Sequence, residues 1–182
     1  MSTPAGTYRL GPENGTLSVR TRRTGAVAKA GHDLLIHVTA WEAEVGIADD
    51  PAATRIELTA DGGSLRVREG TGGMKALDDD DRVNIEQTID DEILMREPVT
   101  FRTTRVEPAL GGGDLSVEGD LTIREITRPI TFDLTVGDDG ALRAVTTIKQ
   151  TDFGMKPYTA LFGALKVADE VEVEIDASLP AG

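Results

Sequence analysis

The sequence predicts a mainly β protein with eight to ten antiparallel strands and one principal α-helix. Apolar and polar residues alternate through most of the chain, which is the pattern of strands with one face in a core and the other in water. One segment, between Asp78 and Glu97, repeats its apolar residues every fourth position instead. Since there is no internal repeat and no long linker, we expect residues 1–182 to form a single domain.

The clearest strand signal is a hairpin with its turn near Arg124 and Glu125. The apolar residues of its two arms fall on one face: Leu121, Ile123, Ile130, Phe132 and Leu134. The last strand alternates just as strictly, with Val171, Val173, Ile175 and Ala177 on one side. The same period predicts further strands over residues 8–10, 17–24, 37–47, 56–60, 65–67, 99–106 and 142–148. Residues 26–33 have small side chains and predict a short helical turn or a bend.

The helical segment begins after four adjacent aspartates, Asp78 to Asp81. Ile85, Ile89 and Ile93 place one apolar stripe along the helix. Aspartates at a helix start cap free N–H groups and suit the positive end of the helix dipole. A calcium loop spaces its ligands around a glycine turn and ends on a distant glutamate. We therefore interpret the aspartates as a solvated cap rather than a metal site.

Composition excludes several classes of function. The chain has no cysteine, so it holds no disulfide, no thiolate zinc site and no cysteine nucleophile. Its net charge of −13 repels phosphate backbones, and we expect no nucleic-acid partner. The first residues resemble no signal peptide and no apolar run is long enough to span a bilayer. We therefore expect a cytoplasmic protein that is not integral to the membrane.

The segment from Thr151 to Leu165 differs from the rest of the chain because it carries large apolar side chains in a stretch too long for a hairpin turn. Such a loop either folds over the mouth of a cavity or completes a core. Eight antiparallel strands form a barrel whose interior is filled by side chains or holds one small ligand. The residue pattern leaves both alternatives open.

Several motifs together resemble the YceI-like family of lipocalin-like, polyisoprenoid-binding proteins. They are residues 8–12 (Tyr-Arg-Leu-Gly-Pro), residues 99–104, the hairpin at residues 119–131, Asp152-Phe153-Gly154, and residues 169–171. The resemblance implies an eight-stranded antiparallel lipocalin-like β-barrel with one flanking α-helix and an apolar lumen. It also implies a homodimer and no catalytic residues. The chain departs from the family at Asn14, where a histidine is common, and at Glu125, where a glycine is common.

We accordingly predict a protein that binds, carries or sequesters an isoprenoid or fatty chain, with no cofactor, no metal and no enzymatic activity. The ligand would be an isoprenoid quinone, a polyprenyl phosphate or a fatty-chain lipid. Residues chosen for the lumen and its mouth are Leu34, Trp41, Phe101, Ile123, Phe132, Phe153, Met155, Tyr158 and Phe162. Residues chosen to contact a polar head group are His32, Arg128 and Lys156.

Two other classes of function remain open. An enzyme acting on a bound lipid would require five side chains to meet at the barrel mouth, namely His32, Asp33, Asp152, Lys156 and Tyr158. A stress or interaction protein would instead have a barrel filled by its own side chains and would act through its acidic helix. An open lumen and the positions of those five residues distinguish the three hypotheses.

Overall fold

The computed structural model describes residues 3–163 and 165–181, and strands dominate it, as the alternation predicts. Within these residues the strands are β1 (Gly6–Leu10), β2 (Gly15–Thr21), β3 (Arg23–Thr24), β4 (His32–Val38), β5 (Trp41–Ile47), β6 (Arg55–Ala60), β7 (Leu65–Gly72), β8 (Val99–Pro108), β9 (Asp114–Ile123), β10 (Ile126–Val136), β11 (Ala141–Lys149), β12 (Thr159–Ala160), β13 (Leu165–Val167) and β14 (Glu170–Ser178). One α-helix, α1 (Asp79–Thr88), continues directly into a π-helical turn at Ile89–Ile93. Short 3-10 turns lie at Ala28–Ala30, Pro51–Ala53, Gly62–Ser64, Gln150–Phe153 and Leu161–Gly163.

The main sheet is antiparallel and strongly curled. In the described part of the chain it contains eleven strands in the order β1-β5-β6-β8-β9-β10-β11-β14-β2-β4-β7. A small second sheet has the order β12-β13-β3. β1 and β2 follow one another in the chain, yet β1 pairs with β5 at one end of this strand order and β2 pairs with β4 near the other end. The sheet therefore curls around an interior.

The expected number of eight strands is wrong, because three chain stretches are each divided into two strands. These stretches are β1 with β2, β4 with β5, and β6 with β7. β1 and β6 both pair with β5, and β2 and β7 both pair with β4. Polar side chains form local hydrogen bonds at the breaks: Asn14 accepts from the Gly11 N–H at 3.1 Å, and Asp61 accepts from the Gly63 N–H at 2.8 Å. Such local bonds compete with the strand ladder. The alternation of apolar and polar residues on either side of a break does not reveal the break.

The helix begins with the cap that the aspartates predict. The Asp81 N–H donates to the Asp78 carboxylate at 2.8 Å, and the Asp78 N–H donates to Asp81 at 3.3 Å. The first of these bonds holds the pKa of Asp78 below its ordinary value. The Lys75 ammonium lies 3.4 Å from Asp78 and 3.2 Å from Asp81, and its hydrogen bond to Asp81 raises the pKa of Lys75. The acidic run thus completes a helix terminus.

Two segments have more regular structure than the sequence indicates. Residues 26–33 contain a short 3-10 turn, but β4 already begins at His32. The segment from Thr151 to Leu165 contributes two 3-10 turns, strand β12 and the start of β13, which pairs with β3. Of the helices in the described residues, none has the length and apolar character needed to span a membrane.

Candidate ligand-binding site

A cavity of about 540 Å³ lies inside the curled sheet. Its walls are mainly aliphatic and come from the inward-facing residues of the strands. Among them are the five residues of the predicted hairpin face, Leu121, Ile123, Ile130, Phe132 and Leu134, together with Val171, Val173 and Ile175. The helix supplies Ile85, Ile89 and Ile93. The faces predicted from the period of two and the period of four are therefore confirmed as the wall of this cavity.

Most polar residues of the lining lie at one end, which we call the rim. At this end β2 and β11 finish, β4 begins, and β13 pairs with β3. The polar rim residues are Thr21, Arg23, His32, Gln150, Tyr158 and Lys166. The other polar residues of the lining lie further from this end: Asp61 at the break between β6 and β7, Asn84 and Thr88 on α1 alongside β7, and Thr146 opposite Val173 of β14.

The end opposite the rim is closed by packed side chains. Val106, Val117 and Ala177 are at most 3% exposed there and do not line the cavity. Ala177 packs tightly against the neighbouring strand, since a Cβ placed on Gly15 would lie 2.5 Å from its Cβ. The cavity is therefore closed at this end.

Two basic residues at the rim are held in defined positions. The Nε2–H of His32 donates to the Lys75 carbonyl oxygen at 2.7 Å. The Arg23 guanidinium donates to the Gly31 carbonyl oxygen at 2.6 Å. Asp33 accepts from the Arg23 backbone N–H at 2.8 Å and lies 3.9 Å from Arg23 Nε. The rim therefore presents fixed hydrogen-bonding groups rather than freely rotating ones.

One hydroxyl at the rim lacks a partner. Thr21 Oγ1 is buried and forms no hydrogen bond to any described residue, and Thr21 lines the cavity. A buried hydroxyl without a partner costs about 1–3 kcal/mol. Nε1 of Trp41 is likewise buried and unpartnered within the described structure. A polar atom of a ligand near Thr21 would satisfy this hydroxyl.

The loop that follows β11 is fastened over the rim by Asp169. Its carboxylate accepts from the Thr151 N–H at 2.9 Å and from the Thr151 hydroxyl at 2.6 Å. These bonds, the hydroxyl first, hold the pKa of Asp169 below its ordinary value. The buried Gln150 donates to the Ala168 carbonyl oxygen at 3.0 Å. These contacts position Met155 in the cavity wall.

The same loop rests on the tight turn between β9 and β10. Arg124 and Glu125 both have positive φ, 51° and 65°, a conformation that side chains other than glycine adopt at a cost. The Arg124 guanidinium donates to the Gly154 carbonyl oxygen at 2.9 Å. The strained turn, which has Glu125 where a glycine is common in the family, is therefore in direct contact with the loop through Arg124.

The structure brings together part of the residue set chosen from the sequence. The residues of this set that line the cavity are Leu34, Phe101, Ile123, Phe132, Met155, Tyr158 and His32. Trp41 and Phe153 are buried in the surrounding core but do not line it. Phe162, Arg128 and Lys156 are exposed and lie outside the lining.

The three exposed residues have separate physical reasons for their positions. Phe162 sits at the tip between β12 and β13 with a φ of 57° and projects from the protein. Arg128 donates to the neighbouring Thr127 carbonyl oxygen at 3.1 Å on the outside of β10. Lys156 lies between Met155 and Tyr158, which line the cavity, but its own side chain is solvated. A head-group contact from Arg128 or Lys156 therefore has no support in the cavity geometry.

Sequence reasoning missed most of the polar residues in the lining. Leu17 and Val19 line the cavity, and Thr21 is the next residue on the same face of β2. The alternation of that strand could therefore have indicated Thr21. Asn84 and Thr88 flank the apolar stripe of α1, and the helical period could have indicated them. Gln150 and Lys166 depend on the course of the loop, for which the sequence carries no periodic signal.

The five side chains considered for catalysis do not converge. Only His32 and Tyr158 line the cavity. Asp33 is engaged with Arg23, and Asp152 is exposed. No hydrogen bond joins any two of the five among the described residues, so the geometry assembles no nucleophile and base.

Comparisons with solved structures show the fold. A Burkholderia cenocepacia structure, "BcnA", matches with a TM-score of 0.68 and 20% identity, covering 92% of this chain and 96% of that one. A polyisoprenoid binding domain from Saccharophagus degradans, described as implicated in plant cell wall breakdown, matches with a TM-score of 0.61 and 11% identity, covering 98% and 100%. The Campylobacter jejuni YCEI protein matches with a TM-score of 0.55 and 16% identity, covering 81% and 85%.

Among curated proteins, no sequence is similar enough to match this chain. The family model of the YceI-like domain, however, matches residues 8–179, which is nearly the whole chain. This match agrees with the sequence motifs and with the curled sheet around an apolar cavity. The chain therefore belongs to the YceI-like domain family.

Proposed function

We propose that this protein binds and carries a single amphipathic molecule whose hydrocarbon chain fills the cavity and whose polar group lies at the rim. The observation that carries this proposal is the cavity of about 540 Å³ with aliphatic walls and most of its polar residues at one end. Ligand cavities of this kind range from about 300 to 1,000 Å³ and are mostly apolar with a few placed polar groups. Similarity to a polyisoprenoid binding domain supports an isoprenoid or fatty chain as the ligand class.

The volume sets the length of the buried chain. An apolar cavity of roughly 150 Å³ holds one benzene ring. The cavity of about 540 Å³ therefore accommodates on the order of 20 carbon atoms, which is about four isoprene units. Each buried CH₂ contributes about 0.8 kcal/mol, so even partial filling supports tight binding after ordering costs.

The rim indicates a ligand group that accepts hydrogen bonds. Arg23 and Lys166 are donors only, and the Thr21 hydroxyl has no partner in the described structure. Quinone carbonyls, phosphates and carboxylates all accept hydrogen bonds. The proposed ligands are therefore an isoprenoid quinone, a polyprenyl phosphate or a fatty-chain lipid, with their chains directed away from the rim.

A chain-length series tests the proposal. Saturated fatty acids of increasing length would displace a fluorescent polyene fatty acid from the delipidated protein. Affinity should rise about fourfold per added CH₂ and level off near 20 carbons, where the cavity is full. No binding at any length would overturn the proposal. Affinity that keeps rising far beyond 20 carbons would contradict the assignment of this cavity as the binding site.

A further inference from the structure

Two segments at the rim are rich in basic residues, although the whole protein is acidic. Residues 22–31 and 154–167 contain five basic residues and no acidic residue. They therefore carry +5, whereas the whole chain carries −13, so the other residues together carry −18. We call the exposed part of these two segments the cationic rim surface. Its basic residues are Arg22, Arg23, Lys29, Lys156 and Lys166.

The fold brings the two segments together. β13, which carries Lys166, pairs with β3, which contains Arg23. The Ala168 N–H donates to the Arg22 carbonyl oxygen at 2.8 Å. A Cβ placed on Gly31 would lie 2.6 Å from Leu165 Cδ1, so the turn carrying Lys29 contacts the same strand. The Tyr158 carbonyl oxygen accepts from the Val167 N–H at 2.9 Å, which places the chain near Lys156 beside β13. Lys166 lies opposite Thr24 and Arg23 opposite Val167, so Lys166 and Arg23 project from opposite faces of this small sheet. Charges distant in sequence thus gather around the cavity opening.

Three lysines of this surface are free to meet a partner. The side chains of Lys29, Lys156 and Lys166 are exposed, and none forms an ion pair with a described residue. Arg23 lies 3.9 Å from Asp33. Lys75, on a neighbouring loop, is paired with the capping aspartates of α1 and is therefore not included in the surface.

The cationic rim surface also exposes large apolar side chains. Phe162 projects from the tip between β12 and β13 and is fully exposed, while Tyr158 is 47% and Val27 39% exposed. Tyr158 also lines the cavity, so the apolar surface continues into the opening. Basic residues surrounding aromatic and aliphatic side chains are the combination that binds the headgroup region of a bilayer.

We propose that the cationic rim surface docks on an anionic lipid bilayer, with Phe162 inserted among the headgroups and the cavity opening facing the membrane. The acidic run Asp78–Asp81 near the rim is partly neutralised by Lys75, which lies 3.4 Å from Asp78 and 3.2 Å from Asp81. Charges further away are screened over about 8 Å at physiological ionic strength, so the local surface decides the contact rather than the net charge. A bound chain would then exchange between bilayer and cavity without crossing water, a property beyond ligand binding itself.

Sedimentation with vesicles tests the docking surface without any cavity ligand. The full-length protein is mixed with vesicles of phosphatidylglycerol and phosphatidylcholine and with vesicles of phosphatidylcholine alone. We expect binding to the anionic vesicles that weakens at high salt. Replacing Lys29, Lys156 and Lys166 together by Gln should weaken it about fivefold per residue, on the order of 100-fold in all. Phe162→Ala should weaken it about tenfold.

Two matched controls separate this surface from general effects. Replacing Arg9, Arg102 and Arg105 by Gln changes net charge equally but affects exposed residues that lie near Glu44, Glu57 and Glu107. Leu110→Ala removes a fully exposed apolar side chain between β8 and β9. Both controls should bind as the wild type does. No vesicle binding, equal losses in test and control variants, or a dimer that dissociates on Phe162→Ala without vesicle binding would overturn the proposal.

Discussion

Replacing a small residue of the cavity wall by a larger apolar one should stabilise the ligand-free protein. The same kind of substitution in a packed core destabilises a protein. Ala144 on β11 is 8% exposed and lines the cavity, so Ala144→Leu places three further carbon atoms in open volume. Their burial contributes about 2.4 kcal/mol, and the lost rotamer freedom of Leu opposes it by about 0.5–1 kcal/mol. The expected gain is about 1.5 kcal/mol, or about 3–6 °C in Tm for a chain of this size.

The matched control is Ala177→Leu on the neighbouring strand β14. Ala177 is 3% exposed, lies opposite the cavity-lining Leu142 and packs against Gly15 at the closed end. Overpacking there should cost about 1–3 kcal/mol. Both variants are measured by thermal and urea unfolding after delipidation, because a retained ligand would mask the effect. If both variants lose stability alike, the interior at Ala144 is filled and the reasoning fails.

Thr21→Val and Asp169→Asn test the rim, the first against a control substitution at Thr103 and the second through its pH dependence. Thr21→Val removes the buried hydroxyl that lacks a partner in the described structure and should stabilise the ligand-free protein by up to about 1–3 kcal/mol in urea unfolding. Thr103→Val, by contrast, removes an acceptor for the Ile56 N–H at 3.1 Å and should destabilise it by a similar amount; the same sign for both would contradict the assignment. Asp169→Asn should loosen the loop at Thr151 and destabilise the protein at pH 7. The folded-state pKa of Asp169 is lowered, so its contribution is present above the ordinary value of about 3.9 and is lost as pH falls through the folded value. Unfolding of wild type and variant should therefore converge once the pH lies below the folded value, and a difference that persists there would show that the carboxylate is not responsible.

The strand faces and the helix stripe could be predicted because burial imposes a period on the sequence. Leu121, Ile130 and Val173 line the cavity where alternation places them, and Ile85 and Ile89 do so at the helical period. The number of strands could not be predicted in this way. Short breaks such as the one at Asp61 depend on a local hydrogen bond that does not alter the alternation on either side.

The rim was the least predictable part because the irregular chain between β11 and β14 contributes to it. Bulk and polarity do not distinguish Phe153, which is 2% exposed in the core, from Phe162, which projects into solvent. The difference comes from the course of the chain between Gln150 and Val167, which Asp169 and the pairing of β13 with β3 determine. Contacts between residues distant in sequence leave no periodic pattern in a single amino-acid sequence.

Mass spectrometry of the protein purified from its native host tests the central claim most directly, first intact under native conditions and then after organic extraction. We predict one molecule of ligand per chain that extracts as a prenyl or acyl lipid, with the native mass falling to that of the bare chain afterwards. A bare mass from the outset, with no thermal shift on adding quinones, polyprenyl phosphates or fatty acids, would contradict the claim that the cavity holds such a ligand.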